Sequence, residues 1–293
     1  MRHPFRWVEI IVVLTIAVLF ARSVVTNPRF EWNVVAEYFT APIILHGLRT
    51  TILLTVICMV GGSALGTILA VLRMSSNVVV SGLTWGYIWF FRGTPVLVQL
   101  IILFNLSALY PRISLGIPFG GPIVFDMNTN DLISPMSAAI LGLGLNLAAY
   151  MAEIVRGGIV SVDEGQTEAA LSIGMTRLRA LRRVVLPQAI PVILPAAGNQ
   201  LIALLKYTSL VSVIAVEDLL YSSQIVYQAN FKVIPLLLVA SIWYLIVTSV
   251  LSIGQYYLER HYARGTMRTL PLTPWQRVRE SVGYRAITGQ LFR

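Results

Sequence analysis

Residues 50–72 read TTILLTVICMVGGSALGTILAVL, a run of 23 without a charge between Arg49 and Arg73. An α-helix of about 20 apolar residues crosses the ~30 Å hydrocarbon core of a bilayer, so this run is long enough to span by itself. Four more runs follow the same rule. Gly93–Pro111, Leu132–Ala152, Val184–Leu205 and Val233–Leu258 hold 19, 21, 22 and 26 uncharged residues. Val8–Val25 is a sixth segment if Glu9 and Arg22 reach out to the two interfaces. Its rival reading is a cleaved signal peptide, since Arg2 and Arg6 precede a short apolar stretch. Glu9 interrupts that stretch, however, and no clear Ala-x-Ala site follows Phe20. The expected fold is therefore all-α: a polytopic membrane protein of six transmembrane helices.

Composition points the same way. Of 293 residues, 56% are hydrophobic and only 12% are charged. A soluble domain carries about 25% charged residues to wet its surface. Half of that excludes a soluble enzyme, a disordered chain and a secreted disulfide scaffold; with Cys58 as the one cysteine, neither an internal disulfide nor a Cys-cluster metal site can form.

The net charge of +9 resolves into a topology. With the N-terminus in the cytoplasm, 16 basic residues fall on cytoplasmic segments and five (Arg22, Arg29, Arg49, Arg112 and Lys232) on the other side, with Lys206 inside a crossing. That bias satisfies the positive-inside rule and puts both termini in the cytoplasm. The excess needs no nucleic-acid partner; the seven arginines of the tail suit anionic lipid headgroups.

One cytoplasmic loop reads as structured rather than as a simple connection. In Ser161-Val162-Asp163-Glu164-Gly165-Gln166-Thr167-Glu168-Ala169-Ala170-Leu171-Ser172-Ile173-Gly174-Met175-Thr176, the segment Glu164–Ile173 is a good helix former. Acids in its first turn complement the helix dipole. Gly174 suits a left-handed C′ position, and Thr176 suits the cap of a following Arg-rich segment. Pro187, Pro191 and Pro195 are expected to break or kink the next helix. Ala169, Ala170 and Gly174 are small enough to let another protein surface approach closely.

These residues carry a resemblance. Glu168-Ala169-Ala170, then Gly174, then Leu186-Pro187 resembles the EAA loop of binding-protein-dependent ABC importer permeases. Further segments are similar to the polar amino-acid uptake branch of that family: Gly47-Leu48-Arg49-Thr50-Thr51, Arg92-Gly93-Thr94-Pro95-Val96-Leu97-Val98-Gln99, Tyr150-Met151-Ala152-Glu153-Ile154-Val155-Arg156-Gly157-Gly158-Ile159, Leu186-Pro187-Gln188-Ala189 and Lys206-Tyr207-Thr208-Ser209. The resemblance covers residues 45–257 and implies a type I importer-like organisation. An N-terminal helix and extracytoplasmic segment (1–44) would precede a five-helix permease core (45–258), whose coupling loop spans 160–186. A basic cytoplasmic tail (259–293) would follow. The extra N-terminal helix departs from the family pattern. So does Tyr207, at a position where many relatives carry an acidic or small polar residue, which makes a basic amino-acid solute less secure.

The resemblance also implies roles and partners. Glu164, Gly165, Glu168, Ala169, Ala170 and Gly174 would form the surface docking onto an ABC ATPase dimer, and Tyr150, Glu153, Lys206, Tyr207, Thr208 and Ser209 would lie on the solute pathway. The bland reading is a structural contact within the bundle, either Glu153 with Lys206 or Glu153 with backbone. Asn146, Gln99, Asn105 and Gln200 are more readily interhelical hydrogen-bonding groups than solute ligands, while Gly61, Gly62, Gly66, Gly142 and Gly144 suggest close helix packing. No catalytic nucleophile–base pair, metal-ligand cluster or phosphate-binding Gly-x-x-x-x-Gly-Lys-Ser/Thr motif is present. No cofactor is therefore expected on this chain, and ATP and Mg would be bound by the partner ATPase. The other expected partners are an extracytoplasmic solute-binding protein, a second permease subunit (a copy of this chain or a paralogue) and membrane lipid. The alternative function is an ion-coupled secondary transporter. Such proteins commonly show inverted repeats, which are not evident here.

Overall fold

A computed structural model describes residues 4–116 and 123–263; the basic tail beyond 263 and Arg2 lie outside the described residues. The helices are α1 (Pro4–Thr26), α2 (Trp32–Phe39), α3 (Pro42–Arg73), α4 (Val78–Gly93), α5 (Val96–Phe104), α6 (Leu106–Leu109), α7 (Thr129–Leu132), α8 (Pro135–Val160), α9 (Glu164–Ser172), α10 (Arg177–Ala180), α11 (Leu186–Tyr207), α12 (Leu219–Asn230) and α13 (Val233–Ala263). Four helical stretches are long and apolar enough to cross a membrane: Pro42–Arg73, Pro135–Val160, Arg177–Ile214 and Val233–Tyr262. Two bent pairs, Ile10–Thr26 with Pro28–Phe39 (60°) and Val78–Gly93 with Val96–Phe104 (102°), raise the number to six if each pair is one span.

The all-α expectation holds with one addition. Arg112–Gly116 (β1) and Ile123–Asn128 (β2) form an antiparallel hairpin, with a register shift between Leu115 and Gly116. Thr129 closes its base by donating its backbone N–H to the Pro111 carbonyl and its hydroxyl to the Tyr110 carbonyl. Arg112 Nη2 lies 2.7 Å from Asp126 Oδ2 across the strands. This exposed ion pair holds the Asp126 carboxyl below the usual carboxylate range.

Three sequence expectations change. The crossing expected at Gly93–Pro111 is instead the bent pair α4–α5. Arg92, which the charge runs place outside the membrane segments, therefore lies inside the pair, next to its break. The chain turns there because Pro95 has no N–H to continue α4 and restricts Thr94, which is extended at φ −112° and ψ 145°. Pro187, Pro191 and Pro195 do not break α11; Pro191 and Pro195 lie in its interior. The strain is taken up upstream, where Leu181–Val185 widens into a π turn and the Leu186 N–H reaches the Leu181 carbonyl. Finally, a side chain at Gly61 would meet nothing within 4 Å, whereas one at Gly62, Gly66 or Gly142 would meet a close neighbour; at Gly62 that neighbour includes the Gly144 carbonyl oxygen, 3.0 Å away.

Helix α8 is the axle of the fold. A Cβ on Gly66 of α3 would lie 2.5 Å from Met151 Cβ and 2.7 Å from the Ala148 carbonyl oxygen. Without side chains at these glycines, α3 and α8 pack backbone to side chain along their length. The main core gathers Leu54, Cys58, Leu100, Leu143, Leu147, Met151 and Leu204 from α3, α5, α8 and α11. Asn146, Tyr150 and Glu153 lie on the side of α8 turned away from α3, since residues three and four apart share a helix face. At one end, Lys232 pairs with Glu31 and His46 with Glu217; at the other, Arg73 reaches Ser81.

Candidate functional site

Two sites emerge. The first is α9. Asp163 caps it, its Oδ1 accepting from the Gly165 N–H at 2.8 Å. At the far end Gly174 stands at φ +84°. The Met175 N–H bonds to the Ala170 carbonyl at 3.1 Å and the Gly174 N–H to the Leu171 carbonyl at 2.9 Å. Those two bonds make a Schellman motif, which a residue with a Cβ would strain. Thr176 then caps α10, its hydroxyl oxygen accepting from the Arg179 N–H at 3.4 Å.

Ala170 faces inward and is buried, while Glu164, Gly165, Glu168 and Ala169 are exposed. Ile173 at 76% exposure and Leu178 at 57% add apolar surface beside them. The inner side of α9 is tied to α11: Gln188 Nε2 donates to Gln166 Oε1 at 3.3 Å and to the Val184 carbonyl at 3.0 Å. Beneath it Ala70, Val155, Ile159, Val185 and Ala189 form a buried cluster linking α3, α8 and α11. Sequence reasoning missed Asp163 as the cap and Gln166–Gln188 as the tie. An acid directly before the helix signalled the first; a pair 22 residues apart has no local signal.

The second site is the open side of α8. Tyr150, Asn146, Leu143, Gln200, Leu204 and Tyr207 line a narrow cleft between α8 and α11. Next to it lies a cavity of about 550 Å³ lined by Arg73, Trp85, Trp89, Arg92, Tyr150, Glu153 and Arg156. Arg92 sits over the Tyr150 ring, 5.3 Å from its centroid.

The structure does not bring Glu153 and Lys206 together. Glu153 is held bidentately by Arg156, at 2.8 and 3.2 Å, and Arg92 lies 4.0 Å away. An i,i+3 partner on the same helix meets Glu153 without crossing the bundle. Lys206 is exposed and has no ion-pair partner among the described residues. Thr208 is buried, its hydroxyl donating to the Leu205 carbonyl; Ser209 donates likewise to the Lys206 carbonyl at 2.7 Å. Among the polar groups expected to join helices, Asn146 and Gln99 do so, whereas Asn105 bonds back to the Ile101 carbonyl one turn earlier. No group of three or more His, Cys, Asp or Glu is placed to hold a metal among the described residues.

The family pattern described as "Binding-protein-dependent transport system inner membrane component" matches residues 62–264. The chain belongs to this family. It is a membrane-embedded permease subunit with a transport role, and its transport system includes an ATPase and a binding protein. The permease is 45% identical over 273 residues to the arginine transport system permease protein ArgU of Corynebacterium glutamicum, covering 92% of this chain and 84% of that one. It is 32% identical to the glutamine transport system permease protein GlnP of Escherichia coli K12, covering 79% of this chain and 97% of GlnP. Among solved structures, it is 36% identical to a chain of an amino acid ABC transporter crystallised with histidines, with a TM-score of 0.64 and coverage of 75% of the permease and 94% of that chain. The MetNI methionine ABC transporter shares the fold at 18% identity, with a TM-score of 0.56 and coverage of 75% and 96%.

Proposed function

We propose that the permease carries polar amino acids inward across a bacterial inner membrane, with both termini in the cytoplasm, paired with a second permease subunit that is a copy of itself or a paralogue. The solutes are delivered by an extracytoplasmic binding protein, and ATP is hydrolysed by a separate ATPase dimer that holds the nucleotide and Mg. The basic tail rests on anionic lipid. The observation that carries this reading is α9, a capped and Schellman-terminated helix whose outer face is exposed and whose Gln166 is tied to Gln188 of α11. Glu164, Gly165, Glu168, Ala169, Ala170 and Gly174 make it the coupling helix: opening and closing of the ATPase moves it, and the long helices rock as rigid bodies behind it.

The solute pathway runs along the open side of α8, past Tyr150 and Glu153, with Lys206, Tyr207, Thr208 and Ser209 at the end of α11. Within that set, Tyr150 and Tyr207 present side chains to the cleft. The amino-acid names of ArgU and GlnP support the solute class. The test is uptake into vesicles reconstituted with permease, ATPase and binding protein. Uptake of amino acids that needs ATP and binding protein but no ion gradient is expected. Uptake driven by a proton or sodium gradient without ATP would establish the ion-coupled alternative instead.

A further inference from the structure

The cavity between α4 and α8 has a composition that the transport role alone does not demand. Its wall holds three guanidinium groups and one carboxylate: Arg73, Arg92 and Arg156 against Glu153. Glu153 is already engaged, with both oxygens taken by Arg156. Arg73 donates to the neutral hydroxyl of Ser81 at 2.6 Å, and Arg92 stands over the Tyr150 ring. Arg92 Nη1 also lies 4.0 Å from Glu153 Oε2, so one carboxylate is shared among three guanidinium groups and the lining is net positive. A net positive lining favours an anionic partner. The remaining wall is aromatic, with Trp85 and Trp89 stacked at 6.3 Å one helical turn apart. A volume of about 550 Å³ lies within the ~300–1,000 Å³ usual for small-molecule sites.

We propose that this cavity is an oxyanion site in which Arg92 and Arg73 receive the carboxylate of the transported solute, with Trp85 and Trp89 flanking the rest of the molecule. The proposal rests on the permease reading and narrows its solute to molecules with a free carboxylate. A solute that is cationic only through its side chain gains nothing here, because Glu153 is spent on Arg156. The phosphate of an anionic phospholipid has the same oxyanion chemistry. The position favours the solute: Tyr150 belongs to both this cavity and the cleft containing Gln200 and Tyr207.

The test uses the full-length chain in nanodiscs of phosphatidylcholine, with tryptophan fluorescence as the readout. L-glutamine and L-arginine are each compared with their α-carboxamides. Both acids are expected to quench, with the amides weaker by about tenfold or more, as for loss of a charge-assisted pair. Arg92→Gln and Arg73→Gln should each erase the difference between acid and amide, and Arg92→Lys should keep it. Arg73→Gln, at a separate position on another helix, keeps the assay interpretable if Arg92→Gln fails to fold.

Equal binding of acid and amide by the wild-type chain would overturn the proposal, as would an unchanged acid preference in Arg73→Gln and Arg92→Gln. Quenching by added phosphatidylglycerol that depends on Arg92, with neither acid binding, would assign the cavity to lipid and overturn it equally. Any of these results alongside normal ATP-driven uptake by the reconstituted transporter removes the oxyanion site alone. Loss of ATP-driven uptake in the wild type is what would sink the permease reading.

Discussion

Asn146 on α8 donates its side-chain N–H to the Phe91 carbonyl at 2.8 Å, holding the end of α4 where the chain turns by 102° into α5. Gln99 reaches the same carbonyl at 3.0 Å and the Thr94 carbonyl at 3.1 Å, and its Oε1 accepts from Asn146 at 3.1 Å. A helix broken within the bilayer exposes carbonyls that lipid cannot satisfy. Two amide side chains supply the missing partners. Asn146→Leu should therefore lower stability in detergent by about 1–2 kcal/mol, near the upper end for hydrogen bonds in membrane proteins. Gln99→Leu should do the same, and the double variant should cost less than the sum because the two share partners. Thermal unfolding of the purified variants measures this; additive losses would show that the groups act separately.

Gly174 at φ +84° ends α9 in a left-handed conformation. Gly174→Ala places a side chain in a left-handed conformation at about 1–2 kcal/mol and should leave partial transport. Gly174→Arg adds bulk at the docking surface. It is expected to insert normally in the membrane while ATP hydrolysis no longer drives uptake. Unchanged uptake in reconstituted vesicles would remove α9 from the coupling path.

Gly66 and Gly61 are five residues apart on α3 and should respond oppositely. A side chain at Gly66 would strike Met151 and the Ala148 carbonyl, whereas one at Gly61 meets nothing within 4 Å. Gly66→Val should destabilise the fold by about 1–3 kcal/mol through overpacking. Gly61→Ala should be close to neutral or slightly stabilising, as it removes helix-breaking freedom. The comparison of apparent melting temperatures decides it, with equal effects counting against the α3–α8 contact.

The Arg112–Asp126 pair makes the hairpin sensitive to acid. Because Arg112 lowers the Asp126 pKa, the pair's contribution is fully present at neutral pH. It is lost as pH falls through the folded-state value, which lies below the ordinary Asp pKa of about 3.9. Hydrogen-exchange protection of the strand amides, corrected for intrinsic exchange, should hold down to that range and then drop. Asp126→Asn should show the reduced protection at every pH. A wild-type profile matching the variant's at neutral pH would mean the pair contributes nothing.

How much was legible depended on whether the cause was local. Gly174, Thr176 and the helix between Glu164 and Ser172 could be read from residues within a few positions of one another, because capping and left-handed turns are local events. The bend at Thr94 was hidden by Arg92. An uncharged run was the criterion for a crossing, and a charge tolerated inside a bent pair breaks that criterion. The partner of Glu153 was misassigned because proximity in the bundle was assumed where an i,i+3 neighbour on the same helix sufficed. The hairpin at 112–128 left no trace in a reading tuned to long apolar runs.

The sequence by itself determined that the chain lives in a membrane, which segments are apolar enough to cross, and where the helix between Glu164 and Ser172 begins and ends. Those properties follow from transfer energies and backbone preferences that each short segment carries with it. Only the tertiary structure decided which face of α8 is closed by the glycines of α3 and which is left open. It alone brought Arg73, Arg92 and Arg156 around one cavity, and set Asn146 and Gln99 at a break in another helix. Such placements depend on how helices far apart in sequence pack, and no single segment encodes that contact.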